Sequence, residues 1–214
     1  MSHHDDDFNF EPIRGLPEKL PEGEVILWQG SPAPLQLARE ALNLTWVAAY
    51  FLILVIWRIA VSLDTVTLAV ALGHAVPFVV IGLIACLIIY GVATIQARAT
   101  VYTLTNKRVA MRIGAALTMT LNLPYTWIGT AQLSQRRNGT ATIAFELIGD
   151  TRLSYLMTWP HVRPWHMAKT QPALRCIPDA AAAARIFAEA ADTRVSQPQV
   201  TRNAPAESAA VAAE

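Results

Sequence analysis

Histidine and cysteine, the side chains most often used to bind transition metals, occur in the second half of the chain at His161, His166 and Cys176. A structural zinc site takes four nitrogen or sulfur ligands at close spacing. The two histidines are five residues apart, which does not align them on one face of a helix, and no carboxylate lies between them. We therefore predict no metal site and no bound cofactor here.

Side chains for acid–base catalysis are scarce. No Asp or Glu occurs between Thr65 and Phe145, and no nucleophile stands in a recognisable catalytic motif. Glu146 and Asp150 follow this stretch, where the pattern indicates a strand end and a turn. The sequence therefore predicts a protein that is not an enzyme.

The composition indicates a membrane protein. Charged residues make up 15% of the chain and hydrophobic types 53%, a balance that water-soluble domains of this size seldom show. Leu44–Leu63 has about the length that a helix needs to cross a bilayer, and residues 76–95 form the clearest second span. Residues 64–75 would then be a short outer connection, with one long tilted helix as the alternative.

The distribution of cations predicts how these spans are oriented. Three Lys or Arg residues precede the first span, none lies between Ser62 and Ala75, and thirteen follow the second span. Cytoplasmic segments of membrane proteins are enriched in Lys and Arg. Both termini are therefore expected in the cytoplasm.

Two features of the spans have more than one interpretation. His74 could ligate the magnesium of a chlorophyll-type pigment, as imidazoles ligate other metals, but its place in the expected outer connection favours an ordinary interfacial histidine. Gly82 and Cys86 form a small-xxx-small face, which suits either packing within the hairpin or a homodimer. A pigment- or lipid-handling protein, with His74 or the groove between the spans as its site, is the alternative function.

Beyond residue 98 the hydrophobic period changes to that of β-strands. Residues 105–108 are expected to form a tight turn, and Arg136-Arg137-Asn138-Gly139 a hairpin, since Asn-Gly is a strong hairpin signal. Pro178 and Asp179 open an Ala-rich helix. Six strands are expected: one on each side of the turn between residues 101 and 113, and four more at 117–123, 127–135, 140–147 and 153–159.

The predicted fold class is α+β: a two-helix transmembrane hairpin followed by an antiparallel β domain that a C-terminal helix closes. The leader is residues 1–43, with a strand-like segment at 23–30; the hairpin is 44–95, the domain 98–192, and the tail 193–214 is expected to be disordered.

Two stretches resemble the bacterial PH-like membrane protein family. They are Gly23-Glu-Val-Ile-Leu-Trp-Gln-Gly30 with Pro32 before the spans, and Tyr102-Thr-Leu-Thr-Asn-Lys-Arg-Val109 with Gly114 after them. The resemblance implies a pleckstrin-homology-like domain next to a helical hairpin.

Three further runs are similar to the photosynthetic-complex assembly proteins of purple bacteria within that family. They are Phe10-Glu-Pro-Ile-Arg-Gly-Leu-Pro-Glu-Lys-Leu-Pro-Glu-Gly-Glu24, Trp159-Pro-His-Val-Arg-Pro-Trp165 and Leu174-Arg-Cys-Ile-Pro-Asp-Ala180. The resemblance implies a multi-pass protein of the bacterial inner (intracytoplasmic) membrane. It also implies a role in building the reaction centre and the light-harvesting 1 antenna, whose subunits would be its partners, with no nucleic acid involved.

One run has the composition of a protein-binding surface: a stiff loop of prolines and aromatic residues, the types enriched in interface anchors. Its expected binding residues are Trp159, Pro160, His161, Arg163, Pro164 and Trp165. The alternative is that both tryptophans pack beneath the terminal helix.

Basic residues of the β domain form a second expected surface. Near an anionic leaflet each cation contributes about 1 kcal/mol of attraction, so membrane lipids are expected to orient the domain. The residues concerned are Lys107, Arg108, Arg112, Arg136 and Arg137. Lys107 and Arg108 have the alternative of being turn residues of the family motif.

Overall fold

The structure, a computed structural model, describes residues 12–115, 117–136, 139–149, 153–178 and 180–195. Two long apolar helices are followed by two antiparallel sheets and a C-terminal helix, which confirms the predicted fold class. The helices are α1 Pro34–Glu40, α2 Leu44–Leu63, α3 Leu68–Ala99, α4 Tyr155–Thr158 and α5 Ala180–Val195. The strands are β1 Ile26–Gly30, β2 Val101–Thr105, β3 Arg108–Ile113, β4 Met119–Pro124, β5 Ile128–Gln135, β6 Thr140–Leu147 and β7 Ala173–Pro178.

The two long helices, α2 and α3, are both long and apolar enough to cross a membrane. α3 begins at Leu68, eight residues before the predicted second span, and continues through Pro77 to Ala99. A continuous helix satisfies the backbone polar groups of an apolar segment internally, which a loop cannot do. His74 therefore lies on a helix, and only residues 64–67 connect α2 to α3.

α2 and α3 pack side by side as an antiparallel pair. The helices approach closely at Gly82, where a Cβ atom would lie 2.9 Å from Cβ and Cγ of Phe51. The small face that includes Gly82 is thus used inside the hairpin, which is one of the two packing modes expected from the sequence.

α3 extends well past the start of α2. Phe51 lies opposite Gly82, so Leu44, seven residues before Phe51, lies near the level of Ile89, seven residues after Gly82. From Ile89 to Ala99 the helix rises about 15 Å. α1, whose Leu37 and Ala38 are buried, packs against α3.

The β domain consists of two sheets. One has the order β1-β2-β3-β4 and the other β5-β6-β7, with all neighbouring strands antiparallel. α5 closes the core with Phe187, whose ring centroid is 5.1 Å from that of Phe145 and 5.5 Å from that of Tyr125. Edge-on and tilted ring contacts at these distances are favourable.

The two stretches that bear the family resemblance pair with each other. β1 pairs with β2, and the buried carboxylate of Glu24 accepts hydrogen bonds from Thr105 Oγ1 at 2.8 Å and Arg108 Nε at 2.9 Å. Asn106 Nδ2 donates to the carbonyl of Gly23 at 2.9 Å, and its Oδ1 accepts from the Val25 N–H at 3.0 Å. The motif therefore attaches the leader to the β2–β3 turn.

Some elements differ from the sequence prediction. Residues 153–159 were expected as a strand, but α4 forms there, with Thr158 Oγ1 donating to the Ser154 carbonyl at 2.8 Å. β7 and α1 have no counterpart in the predicted elements. β7 ends at Pro178 and pairs irregularly with β6, which weakens its strand pattern. Prolines precede and open α1, which hides its helical pattern. α5 continues to Val195, and the rest of the predicted tail lies outside the described residues.

Candidate interaction site beside the apolar helices

The segment from Ser154 to Gln171, here called the aromatic segment, links the β domain to both long helices. It starts with α4, contains the predicted Trp159–Trp165 loop and leads into β7. One part of it is buried in a polar network at the end of α3. Another part is exposed beside the start of α2, and a third forms the wall of a groove.

The buried part is centred on His161, which is only 1% exposed. Its Nδ1 lies 2.6 Å from the hydroxyl of Tyr102, and its Nε2 lies 3.2 Å from Thr100 Oγ1. Because Thr100 donates its own proton to the Gln96 carbonyl at 2.7 Å, Thr100 Oγ1 accepts from Nε2–H, and the Tyr102 hydroxyl donates to Nδ1.

This hydrogen-bond assignment requires a neutral imidazole. Burial, with a smaller contribution from the charge of Arg175, lowers the pKa of His161 to about 3. Burial also raises the pKa of Tyr102 far above its ordinary value. Both groups therefore remain neutral near pH 7, and the contact is a structural link between β2 and the aromatic segment.

Arg175 of β7 joins three elements at the same place. Its side chain is buried and donates to the carbonyl of Pro160 and to the carbonyl of Glu40, each at 3.1 Å. Its backbone N–H donates to the Tyr102 hydroxyl at 3.3 Å. Arg175 thus holds α1, the aromatic segment and β2 together: its guanidinium donates to two backbone carbonyls, and its backbone N–H donates to a hydroxyl.

The predicted binding loop is therefore divided by the fold. Pro160 and His161 are buried and do not belong to an exposed binding surface, which corrects the sequence prediction for these two residues. Trp165 is 86% exposed and Trp159 is 39% exposed, and both line a cavity of about 230 Å³ with Asn43. The loop therefore lies beside the first residues of α2.

A polar groove of about 360 Å³ lies on the outer face of the second sheet. Arg163 forms part of its wall and donates to Gln132 Oε1 at 2.6 Å and Gln171 Oε1 at 3.0 Å. Arg136 Nε lies 3.4 Å from Glu40 Oε1 at one end. The groove is lined by Glu40, Gln132, Leu133, Ser134, Arg136, Thr142, Ala144, Arg163, Pro164 and Arg175.

Strand β5 borders this groove and forms an edge of its sheet. Its sequence, IGTAQLSQ, contains no charged residue, and seven of its eight residues are exposed. Within the described part of the chain it pairs only with β6. An uncharged, exposed edge strand is a template for pairing with another chain.

The predicted basic surface is reduced by internal contacts. Arg112 is buried and donates to the Ala99 carbonyl at the end of α3 at 3.3 Å, so it is not a lipid-facing residue as predicted. Arg108 pairs with Glu24, and Lys107 Nζ donates to the carbonyl of Glu22 at 3.0 Å. Lys107 is thus in the turn between β2 and β3, and Arg108 is the first residue of β3. Arg137 lies outside the described residues.

His74, the candidate pigment ligand, is exposed on α3, and its Nδ1 lies 3.4 Å from Ser62 Oγ. A separate apolar cavity of about 270 Å³ lies between the helices. It is lined by Ala48, Phe51, Leu52, Val55, Phe78, Val79, Gly82, Leu83 and Cys86. His74 is therefore not part of this cavity.

The sequence prediction missed four groups that build the site: Thr100, Tyr102, Glu40 and Arg175. The linear signal for Tyr102 was its place in the resembling stretch 102–109, and that for Arg175 its place in the resembling run 174–180. Neither indicated that the two residues meet in space. Nothing local distinguishes Glu40 from the other acids of the leader. The open edge of β5 becomes visible only once the strand order is known.

Comparison with known proteins identifies the family to which this chain belongs. The bacterial PH domain family matches residues 39–191, which is most of the chain and includes both long helices. The chain therefore belongs to the bacterial PH domain family.

A particular relative extends the match to nearly the whole chain. A Rhodobacter capsulatus protein described as an uncharacterized 23.7 kDa protein in the puhA 5′ region is 45% identical over 217 aligned positions, covering 99% of each chain. Among solved structures, a duf1696 family protein with a pleckstrin-homology domain from Shewanella loihica is 13% identical, covers 43% of this chain and 71% of its own, and has a TM-score of 0.30.

Proposed function

We propose that this protein is a non-enzymatic assembly factor of the PuhB type for the photosynthetic reaction centre and the light-harvesting 1 antenna. Support comes from the leader and the Trp159–Trp165 run, which resemble such assembly proteins, and from the relative in the puhA 5′ region. That genomic location hints at a photosynthetic context for this chain as well.

In this proposal α2 and α3 cross the bacterial inner membrane, with both termini in the cytoplasm. The apolar lengths of the helices and the cation distribution support this topology. The β domain is then held at the cytoplasmic surface, where newly inserted subunits expose their polar tails. An assembly factor needs a surface for such tails and no catalytic group.

The observation that supports this function best is the open edge of β5 beside the polar groove. An extended peptide that adds to a sheet edge gains main-chain hydrogen bonds, and neighbouring pockets then select its side chains. Leu133 on β5 is 48% exposed and would be covered by such a peptide. Arg163 at the groove wall would meet a carboxylate or amide of the peptide.

The proposal is tested by photo-crosslinking in photosynthetically growing cells. A benzophenone amino acid replaces Leu133 in the full chain, and in a matched strain it replaces Val25, an exposed apolar residue at the β1 end of the other sheet. We expect crosslinks from position 133 to reaction-centre or light-harvesting 1 polypeptides, and none from position 25. Equal crosslinking from both positions, or none from 133, would refute docking at β5.

Pigment or lipid handling has a less suitable site. The cavity between the helices contains no side chain that ligates magnesium strongly, and His74 lies apart from it. Purified protein that retains a stoichiometric pigment would favour this second function over assembly.

A further inference from the structure

The aromatic segment exposes several large apolar side chains in a small region. Leu156 is 84% exposed and Met157 is 68% exposed, both on α4, and Trp165 and Met167 are exposed further along. Single exposed apolar residues are common on soluble proteins, but a contiguous group usually marks a surface that is covered by something. The position of this group indicates what covers it.

Part of the group lies at the height where α2 begins. Trp165, Met167 and Tyr155 line one cavity together with Asn43, the residue before α2. The start of α2 is level with about Ile89 of α3, whereas β2 begins only after Ala99, about 15 Å further along the helix axis. The exposed side chains are therefore closer to the apolar helices than β2 is, and the Arg136 end of the second sheet, which contacts Glu40 of α1, also lies near them.

An exposed cation, Arg39 on α1, lies close to the start of α2. A second one, Arg98, lies in the last turn of α3, about 14 Å beyond Ile89 along the helix axis. Arg and Lys near the end of a membrane span interact with lipid headgroups, while Trp and other amphipathic aromatic residues prefer the interface between headgroups and acyl chains. The region thus combines the two residue types expected at the surface of a bilayer.

We infer that the aromatic segment lies in the phospholipid interface of the bilayer that α2 and α3 cross, with Leu156, Met157 and Trp165 among the upper acyl chains. This inference rests on the membrane insertion in the proposed function. Lipid is the occupant because Tyr155, Trp165 and Met167 lie beside Asn43, where the apolar surface of α2 begins. The segment then acts as a third contact that fixes the tilt of the β domain relative to the bilayer.

The test measures the depth of Trp165 by fluorescence quenching. Full-length protein is reconstituted in vesicles of phosphatidylcholine and phosphatidylglycerol, with and without bromine on the upper part of the acyl chains. Subtracting the spectrum of Trp165→Phe from that of the wild type isolates the emission of Trp165. Because Trp165 is almost fully exposed, phenylalanine should not disturb the fold.

Trp127→Phe is the matched control. Trp127 is also exposed, but it lies at the opposite end of β5 from the Arg136–Glu40 contact, about 26 Å along the strand. We expect brominated lipid to remove most of the Trp165 emission and little of the Trp127 emission.

Three outcomes would overturn the inference. If the Trp165 emission survives while the remaining emission, which includes Trp46 and Trp57 of α2, is quenched, the helices are inserted but the aromatic segment contacts water or a protein instead. If Trp127 is quenched as strongly as Trp165, the aromatic segment does not contact the acyl chains more than the rest of the β domain does. If no tryptophan is quenched, the membrane insertion in the proposed function fails as well.

Discussion

The hydroxyl of Tyr102 lies 2.6 Å from Nδ1 of His161. Tyr102 is the second residue of β2 and lies three residues after the end of α3. His161 belongs to the aromatic segment, which returns to the start of α2. The contact therefore sets the position of the aromatic segment relative to both long helices. If the two helices are a membrane anchor, it also sets the height of the β domain above the bilayer.

Acid should destabilise the protein through His161. Its pKa is about 3 in the folded chain and 6.5 in an unfolded one, so between these values the unfolded chain binds a proton that the folded chain does not. The free energy of unfolding is fully retained above pH 6.5 and should fall below it by about 1.4 kcal/mol per pH unit. Denaturation of detergent-solubilised protein over this range measures the slope.

The variant His161→Gln separates this histidine from other titrating groups. Glutamine keeps a donor and an acceptor but does not titrate. The variant should be less stable than the wild type near neutral pH and should lose the acid-dependent slope. An unchanged slope in His161→Gln would assign the proton uptake to another group.

Removing the carboxylate of Glu24 should release the leader from the β2–β3 turn. Glu24→Ala deletes the acceptor for Thr105 and Arg108 and should cost about 1.5–3 kcal/mol, the usual range for hydrogen bonds to a charged group. Glu22→Ala is the control, since Glu22 is exposed and contributes its backbone carbonyl to Lys107. Thermal unfolding and protease cleavage near residue 23 should change only in Glu24→Ala; equal effects would contradict the assigned contact.

The packing of the hairpin depends on Gly82. In Gly82→Val the added atoms would collide with Phe51, whereas a Cβ on Gly91 meets nothing within 4 Å. Overpacking of this kind costs about 1–3 kcal/mol, so Gly82→Val should lower the melting temperature in detergent more than Gly91→Val does. The same loss in both variants would show that the glycines matter only through helix propensity.

The orientation of the hairpin predicts where reporters are active. Green fluorescent protein fused after Glu214 should fluoresce, and alkaline phosphatase inserted in the 64–67 turn should be active, since the first reporter works in the cytoplasm and the second outside it. The opposite pattern would reverse the topology derived from the Lys and Arg distribution.

Elements with a long, regular pattern were predictable from the sequence. α2 was expected at its observed bounds because an apolar run of bilayer length is a strong signal for a long helix. The β5–β6 hairpin followed from alternation and from Asn-Gly at its turn. α4 was not predictable, because Ser154 to Trp159 contains strand-forming residues. β7 was not predictable either, because the run from Ala173 ends at Pro178 and pairs irregularly with β6.

The candidate site was predictable only in part. The exposed Trp165 agrees with its expected place on a surface, but the burial of His161 depends on Thr100 and Tyr102, about sixty residues earlier in the chain. Arg112 was expected at the lipid surface because its charge is visible in the sequence, whereas the Ala99 carbonyl that it bonds is not. In both cases, contacts with residues distant in sequence or invisible in it decide whether the side chain is buried or exposed.

The open edge of β5 is the proposed docking surface for subunits of the photosynthetic complex. Its most direct test is affinity purification of tagged, detergent-solubilised protein from photosynthetically growing cells, comparing the wild type with Leu133→Lys and Val25→Lys. Reaction-centre or light-harvesting 1 polypeptides should accompany the wild type and Val25→Lys, and a charge on the β5 edge should reduce their recovery about tenfold, equivalent to about 1.4 kcal/mol of binding free energy. Intact wild-type protein that purifies without any of these polypeptides would contradict the account.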